Sequence, residues 1–303
     1  MYEIIIIGGG PAGLGAASYA LGKQLNFLMI YEDLGGKAGT QQHLRGQAGA
    51  GAVAGAEAAR ALERELAAQS EHSLRDQVTD VAAVDEIFHI TTANHGVYQS
   101  MAVILATGAT PHTLDVPGTR ELLGQGLGYS ATTHAHLVAG KQVAVVGTTI
   151  RALRGAAELA RTAAHIYLIA PDASDLETPL ARALQQRANV EVLADYHVKA
   201  VKGPFSLEAL VVERGDEHRW LRVDAAFVDL GLVANSGIVQ QLARTDSDGF
   251  VWIDERNTTT RPGLFAAGDV TTVFGEQILI AIGEGARAAL AAYDYLLARM
   301  QAS

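Results

Sequence analysis

The chain has 303 residues, 23 Lys and Arg against 33 Asp and Glu for a formal charge of −10, and no cysteine. The missing thiols exclude a disulfide framework, a thiolate zinc site, a cysteine-ligated iron–sulfur cluster and a cysteine nucleophile, so redox chemistry would have to reside in a bound cofactor. The acidic balance argues against a nucleic-acid binder, which needs Lys and Arg gathered on one face, while 49% hydrophobic and 18% charged residues suit a globular chain of about two domains.

Met1-Tyr2-Glu3 lacks the basic stretch of a secretory signal, and the apolar run after it breaks at Gly8. No later stretch reaches the roughly 18 uninterrupted apolar residues of a membrane helix, so a soluble cytoplasmic protein is expected. Ile4-Ile5-Ile6-Ile7 reads as a β-branched strand running into Gly8-Gly9-Gly10-Pro11-Ala12-Gly13, with a helix over 11–22 and a strand over 26–31. This turn fits G-x-G-x-x-G between strand and helix, and Glu32 follows about 20 residues on. Gly8 would make the tight turn, Gly10 would admit a pyrophosphate, Gly13 would let helix and strand pack, and Glu32 would accept from a ribose hydroxyl. Tyr31 and Asp33 flank Glu32, which leaves the identity of the ribose ligand open.

Further along, an Ala-rich helix over 54–70 with Arg60, Glu63, Arg64 and Glu65 reads as an amphipathic surface helix. Alternating runs over 86–92 and 97–104 read as an antiparallel insertion, followed by a strand over 101–106. Val143-Ala144-Val145-Val146 then repeats the opening pattern into Gly147, with a helix over 149–163, a strand over 165–170, a helix over 178–188 and a strand over 190–194. A second insertion spans 206–213 with 219–224, before strands over 226–230 and 263–267 and a helix over 276–298. Strands alternating with helices predict two Rossmann-like three-layer α/β domains with parallel sheets. Trp220 and Trp252 read as packing residues. The single histidines show no spacing for a metal site, and His134 and His136 would face different sides of a helix.

The opening glycine turn, Gly35-Gly36, Ile104-Leu105-Ala106-Thr107-Gly108-Ala109 and Gly263-Leu264-Phe265-Ala266-Ala267-Gly268-Asp269-Val270 resemble, in the same order, low-molecular-weight thioredoxin reductases. The resemblance implies an FAD domain from about 1–112 and 240–303, with a pyridine-nucleotide-type domain over 113–239 between them, and a homodimer. It implies FAD contacts at Gly8, Gly10, Pro11, Ala12, Gly13, Glu32, Gly36, Lys37, Thr107, Gly108 and Gly268. It places Asp269 on the ribityl chain, and Gln277 and Ile278 at the start of a helix whose dipole favours the negative charge of reduced flavin.

The departures carry the functional reading. Where this family has a Cys-x-x-Cys pair, the chain has Ser130-Ala131-Thr132-Thr133, and hydroxyls form neither disulfides nor flavin adducts. His134 replaces the family's proton-donating Asp, and Ser130, Thr133 and His134 are the candidate catalytic residues; the bland reading of His134 is a partly exposed histidine at a helix start. Gly147-Thr148-Thr149-Ile150-Arg151-Ala152 puts a β-branched residue where the middle glycine of the second turn belongs. The next strand ends Ala170-Pro171-Asp172 in place of the family's His-Arg-Arg, which counts against NADPH. NADH stays open, with Asp172 on the ribose and Arg151 on a phosphate. Lys37 stands where the family commonly has Gln, and reads either as a solvated loop lysine or as a charge that raises the flavin potential. Some thioredoxin-reductase-like ferredoxin reductases also lack the dithiol, but they keep a serviceable nucleotide motif. Two functions are therefore expected: an FAD-dependent oxidoreductase fed by a protein carrier such as ferredoxin or flavodoxin, or by NADH; or a non-catalytic FAD-binding docking module. A second flavin in the middle domain also stays open.

Overall fold

The computed structural model describes residues 1–39, 42–44 and 53–302. Two compact units emerge: residues 1–39, 54–110 and 233–302 form the first, and residues 42–44, 53 and 111–232 the second.

The first unit begins with β1 (Tyr2–Ile7), α1 (Pro11–Gly22), β2 (Phe27–Tyr31), α2 (Ala56–Ala67), β3 (Ser73–Arg75), β4 (Val78–Val84), β5 (Ile87–Thr92) and β6 (Gly96–Leu105). Its sheet runs in the order β3-β2-β1-β6-β5-β4. The four isoleucines of β1 are buried because this strand lies between β2 and β6 with both faces covered. The two runs expected over 97–104 and 101–106 are one strand. β6 pairs antiparallel with β5 near its start and parallel with β1 toward its end, so a single segment serves both the inserted meander and the nucleotide-binding sheet. The sequence reading missed β3 and β4, short or mostly exposed strands with little hydrophobic signal.

Small residues let α1 pack closely. Ala12, Gly13, Gly15, Ala16, Ala17 and Ala20 are all buried. The chain leaves this unit through β7 (Ala109–Pro111), which pairs with β16 (Leu232–Ala234) on its return. β17 (Leu264–Ala266) then adds parallel to β6, and α7 (Ile278–Ala302) closes the unit against α1.

The second unit holds α3 (Thr119–Leu122), β8 (Leu127–Gly128), α4 (Ala131–His134), β9 (Gln142–Val146), α5 (Ile150–Leu159), β10 (His165–Ala170), α6 (Pro179–Gln185), β11 (Val190–Ala194) and β15 (Ala225–Val228). Five of these strands make a parallel sheet in the order β11-β10-β9-β15-β8. The meander β12 (His197–Lys202), β13 (Ala209–Arg214) and β14 (Glu217–Arg222) forms a separate antiparallel sheet. The two tryptophans expected as packing residues are both exposed. Trp220 is 68% exposed on β14, and Trp252 is 45% exposed with the Arg244 guanidinium 5.4 Å above its ring.

Candidate cofactor and redox sites

In the first unit the glycine turn is built as the motif predicts. A Cβ added at Gly13 would stand 1.9 Å from the Gly8 carbonyl oxygen, so only glycine allows α1 to meet the end of β1 there. A Cβ at Gly10 would meet nothing within 4 Å, which leaves open space over the helix start. No side chain caps α1, Pro11 opens it, and no acidic residue lies in its first turn. Uncapped N–H groups at the positive end of a helix suit an anion such as pyrophosphate. The loop after β2 folds back over the turn, with the Gly35 amide donating to the Gly9 carbonyl at 2.8 Å and Gly36 beside Gly10. Arg75 takes the Asp33 carboxylate at 3.3 Å and donates to the Glu32 carbonyl at 2.9 Å. Glu32 is thus the exposed carboxylate at the end of β2 that can meet a ribose.

The remaining residues expected on the cofactor collect in the same unit. Asn235 clamps Thr107 and Gly108: its side-chain amide donates to the Thr107 carbonyl at 3.0 Å, its backbone carbonyl accepts from the Thr107 hydroxyl at 2.7 Å, and its backbone amide donates to the Gly108 carbonyl at 3.0 Å. Sequence reasoning missed Asn235, which is remote in sequence and marked by no motif. Lys37 lies in a short helical turn over Gly36–Gly39 and pairs with Asp269 at 2.5 Å. It is therefore a half-exposed loop lysine held in an ion pair. Gln277 precedes α7, and its carbonyl accepts the Ala281 amide at 2.9 Å. Asp269 lines a small open cavity with Gly268, Thr271, Glu276 and Glu284.

In the second unit Ser130, Thr133 and His134 stand on a single helical turn. Ser130 is the N-cap of α4, its hydroxyl accepts from the Thr133 amide at 3.4 Å, and the two hydroxyl oxygens are 2.7 Å apart. They share one hydrogen bond at the positions where the resemblance expects two thiols. His134 is buried, which corrects the expectation of a partly exposed side chain; His136 is exposed. The imidazole lies nearly parallel to Phe227, with ring centroids 6.1 Å apart. Its Nδ1 is 3.0 Å from the Ser130 carbonyl oxygen, which can only accept, so Nδ1 carries the proton and Nε2 presents a lone pair. Nε2 is buried without a partner. Burial holds this histidine below its ordinary range, with His136 adding and the Ser130 carbonyl opposing, so the ring is neutral at pH 7.

The second glycine turn is closed by the chain's own side chains. Thr149 caps α5, its hydroxyl accepting from the Ala152 amide at 3.0 Å and donating to Asp229 at 3.2 Å. Arg151 grips Asp229 in a fork, Nε to one oxygen and a terminal nitrogen to the other, both at 2.8 Å. Asp229 is 3% exposed, so a buried resident carboxylate takes up both the Thr149 hydroxyl and the Arg151 guanidinium beside this helix start. Arg151 faces this carboxylate, which corrects the expectation that it would face a bound phosphate. At the end of β10, Asp172 caps the following turn through the Ser174 amide at 2.8 Å, and that hydrogen bond holds it below the usual carboxylate range. Asp175 takes the Thr148 hydroxyl at 2.6 Å. Asp172 and Asp175 thus put carboxylates after β10, where the resemblance expects the cations of a 2′-phosphate site. Breaking a buried pair strands the remaining charge, so Arg151→Ala is expected to lower the unfolding free energy by about 2 kcal/mol in urea denaturation, discounted from the fully buried case because Arg151 is 24% exposed.

The first unit fits FAD: an uncapped helix start for the pyrophosphate, Glu32 for the ribose, and a cavity with Asp269 for the polyol chain. In the second unit the helix start is capped by Thr149, and carboxylates rather than the expected cations follow β10. The fold and the first site define an oxidoreductase of the Rossmann flavoprotein type. Residues 2–285 match the model of the pyridine nucleotide-disulphide oxidoreductases, and the chain belongs to that family. It is 32% identical over 300 residues to the thioredoxin reductase of Treponema pallidum, covering 97% of each chain. It is 31% identical over 302 residues to the F component of the alkyl hydroperoxide reductase of Staphylococcus aureus, spanning 98% of this chain but 59% of that one. The crystal structure of thioredoxin reductase from Streptococcus pyogenes superposes with a TM-score of 0.86 at 26% identity, covering 98% of this chain and 99% of the other. The chain is a thioredoxin reductase-like member that lacks the dithiol, since it has no cysteine. Among the described residues, no helix is long and apolar enough to cross a membrane.

Proposed function

We propose that the chain is an FAD-dependent oxidoreductase that moves electrons from a reduced protein carrier, such as ferredoxin or flavodoxin, or from NADH, to an acceptor without a thiol relay. FAD, when bound, supplies the electron chemistry that no side chain here can supply. The Gly8–Gly13 turn and the start of α1 would hold its pyrophosphate, Glu32 its ribose and Asp269 its ribityl chain. The start of α7 at Gln277 and Ile278 would favour negative charge on the ring system. Lys37 brings a cation to the same site through Asp269. Ser130 and Thr133 would supply hydrogen bonds in place of the thiols, and His134 would accept a proton at Nε2. Family likeness extends the reading to a cytoplasmic homodimer.

The observation that carries the reading is the contrast between the two glycine turns. The start of α1 is uncapped, whereas the start of α5 is capped by Thr149 and charge-balanced by Asp229. This supports a carrier over a pyridine nucleotide, and NADH over NADPH. The test is an anaerobic reduction series on FAD-loaded protein with NADH, reduced ferredoxin and reduced flavodoxin. Rapid stoichiometric bleaching by a carrier or by NADH, reversed by an acceptor, is the expected result. Bleaching by a strong chemical reductant alone would overturn it in favour of a non-catalytic FAD-binding docking module, a reading that the closed second turn also favours.

A further inference from the structure

Glu284 is the one acidic residue among the buried side chains of α7; its inward neighbours Ala281, Ala288 and Ala292 are apolar, and Glu284 itself is 4% exposed. Its Oε2 accepts the Gly268 amide at 2.7 Å, and its Oε1 is buried with no partner. Gly268 has φ +76°, and its carbonyl accepts the Thr271 hydroxyl at 2.8 Å. The Gly268 residue is therefore held at both of its backbone groups, and the next residue is Asp269. Glu284, Gly268, Asp269 and Thr271 line the same cavity.

The charges around Glu284 leave its carboxyl without a cation of its own. Asp269 on the facing turn is paired with Lys37 at 2.5 Å, and Arg287, on the same helix, gives its Nε to Asn257 at 2.6 Å. Glu276, from the loop before α7, adds another carboxylate to the cavity wall. An ionised Glu284 would be a buried anion beside Asp269 with one oxygen unbonded, which is costly. We propose that Glu284 is a positioning residue of the cofactor site, a carboxyl group kept in its acid form that fixes the Gly268–Asp269 turn and so aims Asp269 at the cofactor's polyol chain. Burial pushes this carboxyl above its ordinary range, Asp269 adds to the effect, and the Gly268 amide and Arg287 oppose it. The assignment rests on the FAD reading of the first unit.

A ligand that fills the cavity removes the remaining water and raises the Glu284 pKa further. Linkage then gives the sign: affinity is full below the pKa of the ligand-free protein and is lost as pH rises through the higher pKa of the complex. FAD affinity, measured by equilibrium dialysis from about pH 5 to about pH 9, is expected to fall by up to about tenfold per pH unit within that window. Glu284→Gln keeps an acceptor for the Gly268 amide and cannot ionise, so it should bind FAD as tightly as the protein at low pH, with a flat profile. Glu284→Ala should lose about tenfold at every pH. A Glu284→Gln profile that falls like the parent's, or a folded Glu284→Gln protein that takes up no FAD, would overturn the proposal. Thermal unfolding of flavin-free protein separates the two readings. The parent should lose Tm as pH rises through the folded-state pKa of Glu284, and the Gln variant should not. That difference without FAD uptake by either protein sinks the FAD reading and the positioning role with it, whereas equal Tm profiles sink the acid-form assignment alone.

Discussion

A Ser130→Cys/Thr133→Cys double variant is expected to close an intramolecular disulfide on mild oxidation. The parent hydroxyl oxygens are 2.7 Å apart across the first turn of α4, with Ser130 at the N-cap. A disulfide needs S–S near 2.05 Å, and the longer C–S bonds bring the sulfurs closer than the oxygens they replace. The helix start also favours thiolate at the N-cap, which speeds oxidation. The background is clean because the parent has no cysteine, so every thiol counted belongs to the pair. Thiol titration should fall from two per chain to none, at unchanged molecular mass in denaturing gel filtration. Persistent thiols, or cross-linked chains, would show that the backbone here has left the geometry of a dithiol site. The expected outcome means that the chain keeps a scaffold shaped for thiols while holding hydroxyls on it.

Gly285→Ala is expected to cost about 3 kcal/mol or more and to abolish FAD uptake. A Cβ at this position would stand 1.8 Å from the Ala12 carbonyl oxygen and 3.0 Å from the Ala16 nitrogen, so the obstacle is backbone and cannot turn aside. Helices α1 and α7 would have to separate, and α1 carries the turn that receives the pyrophosphate. Close-packed interiors transmit such a shift. Gly22→Ala at the end of α1 is the control. Nothing lies within 4 Å of a Cβ there, and Ala is the better helix former, so stability should hold or rise by up to about 1 kcal/mol. A urea denaturation series with flavin-uptake measurements on both variants separates the two effects.

Much of this was legible in the chain because periodicity and glycine spacing are local signals. The helix over 11–22 and the strands over 165–170 and 190–194 match the structure end to end, since each is bounded by a turn and filled with residues of one preference. The glycine turn of the first unit could be read because the motif names its residues in order. The closed second turn was half legible. Thr149 announced the obstruction, but its partner Asp229 lies 80 residues away, just after β15, where nothing in the sequence marks it as the anion that α5 and Arg151 hold. Burial of His134 was likewise invisible, because the Phe227 ring and the turn that cover it come from distant or unpatterned segments. Glu284 carried one faint signal, a charge between two glycines in an otherwise apolar helix face, and only the fold shows that it reaches Gly268.

The most direct test of the central claim, that the FAD site is kept while NADPH is lost as a donor, is rapid anaerobic mixing of FAD-loaded protein with excess NADPH. The flavin band should persist for minutes, because Thr149 and Arg151 at the start of α5 are already taken up by Asp229, and Asp172 and Asp175 put carboxylates after β10 where the resemblance expects cations. Complete bleaching within seconds would contradict it.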